Sequence, residues 1–325
     1  MTTHKIRGKR VLVAGGAGFI GSHLVDALVR HDASRIVAVD NLFLGRRENL
    51  DDAKITSDSV SLYEQDASDL DSMRRIITDE GIEIVFNLAV IPLPTSLEQP
   101  KFTVDANVQI STTLCELARE DTYETLIEFS SSEAYGTAEM VPMSEDHPLH
   151  PRTPYAASKA ATDFVVLSYI ETFGIDAAIL RPFNNYAPRQ NDAAYAGVIP
   201  IVINRVRQGK TIEIFGDGEQ TRDFIYAPDT ATAAVELYES KATRGVITNI
   251  GSGRETSVNQ LVTTILELME VPDHPVVHID ERPGDVRRHC ADISRARETF
   301  GFEPTTELSE GLRRTIEWYR GKNRP

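Results

Sequence analysis

Apolar positions along the first half of the chain switch between two spacings. Residues 11–14 (Val-Leu-Val-Ala) are a continuous apolar run of strand length. Residues 21–30 then place Leu24, Val25, Leu28 and Val29 at helical spacing among polar neighbours. The pattern repeats. It predicts strands over 35–39, 60–63, 84–88, 126–129 and 177–180, and helices over 73–77, 104–119 and 155–172. Buried strands alternating with amphipathic helices need cover on both sheet faces, so the predicted class is α/β with a doubly wound parallel sheet. After residue 181 the alternation breaks. Pro182, Pro188 and Pro200 punctuate loops, and Gly216-Asp217-Gly218 marks a turn. Residues 182–325 are therefore expected to form mainly a smaller lobe over the C-terminal edge of the sheet. A helix over 230–240 and a strand over 246–250 are expected to return to the sheet, which interleaves this lobe with the first domain, 1–181.

Charge narrows the possible partners. The 325 residues carry 34 basic and 49 acidic side chains, a formal charge of −15. Such a chain disfavours nucleic acid and anionic membranes, so an anionic ligand must be held by a local site against the global field. The hydrophobic fraction of 41% and charged fraction of 26% are those of a globular protein. Cys115 and Cys290 are the two cysteines, too few for a disulfide framework or a zinc site, and are expected as reduced thiols in a cytoplasmic protein. Residues 1–10 are polar and basic with no apolar segment of the kind a secretory leader needs. No run of ~18 apolar residues suggests a membrane span. The histidines show no metal-ligand spacing, and no metal is expected. His147 and His150 flank a proline-containing loop and are expected to be exposed.

Candidate chemistry begins where the first strand ends. Gly15, Gly18 and Gly21 have the spacing G-x-x-G-x-x-G between that strand and the first helix, with Phe19 and Ile20 inside the motif. Glycines there permit a tight turn, close approach of a pyrophosphate and close helix–strand packing. The helix N-terminus offers N–H groups and a positive dipole end, which hold phosphate without a basic side chain. Asp40, at the end of the second strand, is spaced for a ribose 2′-hydroxyl. These features predict a Rossmann-type domain that binds NAD. A carboxylate at position 40 repels a 2′-phosphate, while Arg46 and Arg47 keep NADP as the alternative. Tyr155 and Lys159 form Y-x-x-x-K, an i, i+4 pair on one helical face. An ammonium beside a phenol lowers the phenol pKa, and the phenolate can then take a proton from a hydroxyl. Ser130-Ser131-Ser132-Glu133 follows the fifth strand, at the sheet edge where α/β enzymes keep their sites. Taken singly, the pair also reads as a solvated helix face and the serines as a strand-end turn.

Asp66, Asn87-Leu88-Ala89, Asn107, Arg181-Pro182-Phe183-Asn184-Asn185-Tyr186 and the stretches 216–224 and 282–285 complete the set. Together these motifs resemble the extended short-chain dehydrogenase/reductases of the nucleotide-sugar epimerase/dehydratase family, over nearly the whole chain. The resemblance implies that Ser131 takes the place of the Ser or Thr bonded to the sugar 4-hydroxyl. Tyr155 takes that of the base, and Lys159 that of its partner, which also holds the nicotinamide ribose. Asn41, Asp66, Ala67, Leu88, Ala89 and Asn107 take the places of cofactor contacts, with the glycine motif and Asp40. Ser132, Asn184, Arg222 and Arg282 take the places of substrate contacts. A guanidinium suits a diphosphate because it binds phosphate oxygens bidentately. Asn87 stands where many members have His, and Ala187 where most have Gly. A homodimer through helices around 97–119 and 155–172 is also implied.

In the family, oxidation at sugar C4 gives a 4-keto intermediate that leads to three outcomes. Hydride return to the other face makes a 4-epimerase. Proton loss from C5, water loss from C6 and hydride return to C6 make a 4,6-dehydratase. Loss of CO₂ from a uronic acid makes a decarboxylase. Glu133 resembles the dehydratases, where simple epimerases usually carry a small or neutral residue. Ser132-Glu133 resembles the GDP-mannose dehydratases and the decarboxylases, whereas glucose-type dehydratases carry Asp-Glu. Residues 189–200 resemble instead the loop of 4-epimerases acting on UDP-hexoses and UDP-N-acetylhexosamines. Weighing chemistry above the binding loop, the expected reaction is 4,6-dehydration, with 4-epimerisation the alternative and decarboxylation third. The intact set Ser131, Tyr155 and Lys159 argues against a catalytically silent NAD(H) sensor. The long second lobe and its arginines argue against a dehydrogenase that releases NADH. With NAD and a sugar nucleotide as ligands, the −15 charge requires a locally positive cleft in an acidic shell.

Overall fold

The computed structural model describes residues 5–192, 197–281 and 286–321. Six strands of the central sheet are β1 (Arg10–Ala14), β2 (Arg35–Asp40), β3 (Val60–Glu64), β4 (Ile84–Asn87), β5 (Thr125–Phe129) and β6 (Ala177–Pro182). Their order in space is β3-β2-β1-β4-β5-β6, and Ile247–Ile250 adds a seventh strand outside β6. Every neighbouring pair is parallel. The chain winds one way from β1 to β3 and the other way from β4 onward, which opens a crevice at the C-terminal strand ends between β1 and β4.

Period-2 alternation explains why both faces of the sheet are covered. Val11 and Val13 of β1 join one apolar layer, Leu12 and Ala14 the other. The first layer is closed by the helices Phe19–Arg30 and Ala227–Glu239, which pack on each other. The second is closed by Leu70–Asp79, Pro100–Arg119 and Pro154–Phe173. A third apolar cluster fills the lobe. It pairs Ile199 with Ile203, Leu261 with Ile265 and Leu312 with Ile316, each pair on its own helix. Short two-stranded pieces, such as Ile212–Phe215 on Val276–Ile279, frame that cluster.

One expectation about the surface fails. His147 is buried, not exposed. Its Nε2 accepts the Glu139 N–H at 2.9 Å, and its ring meets Tyr135 edge-on at 5.4 Å. The loop folds back over Tyr135, and the imidazole supplies the acceptor that a buried backbone N–H needs. His150 is exposed beside Glu139.

Candidate active site

A cavity of about 890 Å³ occupies the crevice, between the C-terminal ends of the strands and the lobe. Backbone builds its first end. Gly15 has φ +75°, and a Cβ there would lie 2.7 Å from Leu88 and Ala89. A Cβ on Gly21 would lie 2.0 Å from the Gly15 carbonyl. Neither position tolerates a side chain, so the turn after β1 stays tight. Gly18 begins the helix Phe19–Arg30 with no side-chain cap and no acid in the first turn, which leaves that helix end suited to an anion. Gly15, Gly18, Phe19, Ile20 and Gly21 all line the cavity.

Asp40 sits beside them at the end of β2. Its carboxylate accepts the N–H of Ala17 at 3.0 Å and of Leu42 at 2.9 Å. Burial pushes its pKa up, and these backbone donors pull it back down. Asn41, Asp66, Ala67, Leu88 and Ala89 line the same end, with Asn41 Nδ2 donating to Asp66 at 3.4 Å. Asn107 does not reach the cavity lining. Its amide holds the backbone N–H of Ile91 at 2.7 Å and Ser158 Oγ at 2.8 Å, so it ties the loop after β4 to the helix Pro154–Phe173 from behind. Neither arginine of the loop after β2 is an unopposed cation. Arg46 pairs with Asp192 at 3.2 Å and Arg47 pairs with Glu64.

Side chains build the other end. Ser131, Ser132, Glu133, Tyr155, Lys159 and Asn184 line it. Thr153 accepts the Ala156 N–H, and Pro154 occupies the first turn, so the helix starts just before Tyr155. Ser131 caps the turn Ser132–Tyr135 by accepting the Glu133 N–H at 3.3 Å. The Ser131 side chain lies close enough to the Tyr155 phenol to favour its ionised form. Burial pushes that phenol above its usual range. Lys159 and Ser131 pull it down, while Glu133 and Asp163 push it up.

The three serines do different jobs. Ser130 donates to Asp163 at 2.8 Å, which holds the loop in place. Ser131 and Ser132 face the cavity. The Ser132 carbonyl also accepts from His289 Nε2 at 3.2 Å. His289 is buried, and burial and the Arg222 cation push its pKa down to about 4, so it bridges lobe and serine loop as a neutral ring. Nothing in the sequence around His289 signals this. Glu128, fully buried on β5 against Lys159, was also missed. It left a signal: one acid inside the apolar run of residues 126–129.

In the lobe, Asn184 Nδ2 is buried with no hydrogen-bond partner among the described residues. Arg222 lines the cavity and donates to the carbonyls of Thr221 at 2.8 Å and Val286 at 2.6 Å. Arg282 lies outside the described residues, as do residues 193–196 of the epimerase-like loop. The described lining holds five basic side chains (Arg46, Lys159, Arg189, Arg205, Arg222) and four acidic ones (Asp40, Asp66, Glu133, Glu213). The described part of the lining is thus close to charge balance, because its first end is built from backbone and carries two acids.

The family model described as GDP-mannose 4,6 dehydratase matches residues 12–315. A UDP-glucose 4-epimerase of Mycolicibacterium smegmatis is 38% identical over 316 residues, covering 97% of this chain and 99% of that one. The chain belongs to the nucleotide-sugar epimerase/dehydratase family of extended short-chain dehydrogenase/reductases. Solved structures of family members superimpose closely. The UDP-glucose 4-epimerase of Thermotoga maritima with UDP-glucose has a TM-score of 0.90 at 34% identity, over 97% of this chain and 100% of that one. A dTDP-glucose 4,6-dehydratase of Streptomyces venezuelae with NAD bound has a TM-score of 0.90 at 29% identity, over 97% and 98%. Family members of both activities therefore stand at similar distance, and membership alone leaves the reaction open.

Proposed function

We propose that this protein is an NAD-dependent enzyme that converts a nucleoside-diphosphate sugar through a 4-keto intermediate, and that its reaction is 4,6-dehydration. The observation that carries the reading is Glu133, in the same cavity as Ser131, Tyr155 and Lys159. A carboxylate there raises the Tyr155 pKa, which works against a base at that position. Such a cost is reasonable where the carboxylate has its own task.

The glycine cradle, the uncapped helix end and Asp40 fit an adenine dinucleotide. The pairing of Arg46 and Arg47 with carboxylates supports NAD over NADP. When bound, NAD supplies the oxidant for C4 and a positive charge beside the phenol. Tyr155 takes the proton of the 4-hydroxyl while the Ser131 hydroxyl holds the same oxygen. The Lys159 ammonium stabilises the resulting phenolate. Glu133 takes the C5 proton of the 4-keto sugar and passes it to the C6 hydroxyl, which leaves as water; the hydride removed from C4 then returns to C6 and a proton to C5, which gives the C6 methyl group. Asn184 and Arg222, joined by Arg282, hold the diphosphate. Ser132 contacts the sugar.

The second reading is 4-epimerisation, supported by the activity named for the Mycolicibacterium and Thermotoga proteins. Replacing Glu133 separates the two. Glu133→Gln should retain slow C4 oxidation, seen as absorbance at 340 nm, while dehydrated product falls by about 10²-fold or more. Unchanged product formation removes Glu133 as the base.

Two further parts of the reading concern assembly and setting. Exposed Phe102, Phe164 and Phe173 on the packed helices Pro100–Arg119 and Pro154–Phe173 support a homodimer through that face. Both cysteines are free and buried, which supports a cytoplasmic protein. No described helix is long and apolar enough to cross a membrane.

A further inference from the structure

Strand β5 carries a charge where its neighbours are apolar. Ile127 and Phe129 point into one core layer, and Leu126 into the other. Alternation puts Glu128 on the Leu126 side, beneath the helices Pro100–Arg119 and Pro154–Phe173. Its side chain is wholly buried. Four elements meet at its carboxylate. Asn87 Nδ2, from the end of β4, donates to Oε2 at 2.7 Å. Ser111 Oγ donates to Oε1 at 3.0 Å, and Lys159 Nζ donates to the same oxygen at 3.3 Å. Lys159 is itself 3% exposed, so Glu128 is a counter-charge held in the same dry layer. A buried carboxylate in a strand is costly, and three donors on one carboxylate make a built site, not a tolerated accident.

We propose that Glu128 is a positioning residue. It anchors the Lys159 ammonium, offsets part of its charge, and so sets how strongly Lys159 favours the Tyr155 phenolate. The proposal rests on the reading of Tyr155 as the base. Lys159 acts on two acids of different kind: it donates to the carboxylate of Glu128, and its charge favours the ionised form of the Tyr155 phenol. Glu133 and Asp163 also act on Tyr155, and the Cys115 thiol and Tyr123 phenol lie near Glu128. Burial and the Glu128 charge push the Cys115 and Tyr123 groups up, so both stay neutral near pH 7 and leave the local balance to Glu128, Lys159, Glu133 and Asp163. Removing the Glu128 charge leaves the Lys159 ammonium less offset, so its pull on the Tyr155 phenol toward the ionised form grows.

The test is an ultraviolet phenolate titration of the NAD-saturated protein, taking as the Tyr155 signal the part lost in Tyr155→Phe. In Glu128→Gln, which keeps size and an acceptor for Nζ, the midpoint should fall by about one pH unit. Glu128→Asp keeps the charge but draws it back from Nζ, so its midpoint should fall by less. It also stands in if the Gln variant does not fold. NAD affinity should stay within a few-fold of wild type. A midpoint that stays in place or rises in either folded variant overturns the proposal. Turnover of Tyr155→Phe reports separately on the parent reading. If that variant keeps wild-type activity, Tyr155 is not the base. If it is inactive and the Glu128 midpoints do not move, only the role of Glu128 falls.

Discussion

Two buried ion pairs meet the helix Pro154–Phe173, and they are built differently. Asp163 accepts from Arg181 at 2.6 Å and from Ser130 at 2.8 Å, and the Arg181 guanidinium lies 4.3 Å over the Tyr135 ring. Glu128 accepts from Lys159 at 3.3 Å and shares its carboxylate with Asn87 and Ser111. The guanidinium pair is short and stacked, and it clamps β6, the helix and the serine loop together. The ammonium pair is longer, and its Lys159 lines the cavity. The difference separates holding from working. A pair that only fixes geometry is made tight, whereas one that takes part in chemistry leaves its cation able to serve a second acceptor.

The largest expected effect comes from breaking the tight pair. Arg181→Met leaves Asp163 buried without its cation, a change that costs about 3–5 kcal/mol of stability. Denaturant unfolding measures it, and a loss below about 1 kcal/mol would break the contrast with Lys159. Lys159→Met should behave the other way. Burial already pushes the Glu128 carboxyl up, so Glu128 can take a proton when its cation is gone. Stability should then fall less than in Arg181→Met, while turnover falls by about 10²–10⁴-fold. Equal stability losses in the two variants would contradict the distinction.

Acid should loosen the serine loop from its lobe side. The folded pKa of His289 is pushed down to about 4 from 6.5, so the unfolded chain binds the extra proton between these values. The stabilisation is fully present above about pH 6.5 and is lost as pH falls toward 4, at most roughly 3 kcal/mol. His23, buried against the Pro188 carbonyl and also pushed down to about 4, has the same sign. His289→Gln should flatten the fall in Tm between pH 7 and pH 5; an unchanged slope counts against the bridge. The smallest effect sets the baseline. Arg47→Ala breaks an exposed pair with Glu64 and should change stability by under about 1 kcal/mol.

Much of the sheet half was legible because its two periods are unmixed. Strands β1, β2, β4 and β6 carry continuous apolar runs, and Gly15 and Gly21 of the cofactor turn stand where a Cβ has no room. The lobe was not legible to the same degree. Its helices carry apolar pairs four apart, Ile199 with Ile203 and Leu261 with Ile265, but no sheet strand follows each one to give the pattern a rhythm. Site residues divide along the same line. Tyr155, Lys159 and Ser131 belong to local motifs on one helix and one turn. His289 reaches Ser132 from 157 residues away, and Asn107 acts through Ile91 and Ser158, so their contacts exist only after the chain has folded. His147 was misjudged because a proline-containing loop suggests solvent, and the packing of that loop on Tyr135 is tertiary.

In the proposed reaction, Glu133 turns a shared 4-keto intermediate toward dehydration. Proton NMR of the purified protein incubated with NAD and, in turn, UDP-glucose, UDP-N-acetylglucosamine and GDP-mannose tests it most directly. A new C6 methyl doublet should arise from one of these sugars and be absent with Glu133→Gln. An axial 4-hydroxyl product with no methyl signal would contradict it and establish the epimerase reading in its place.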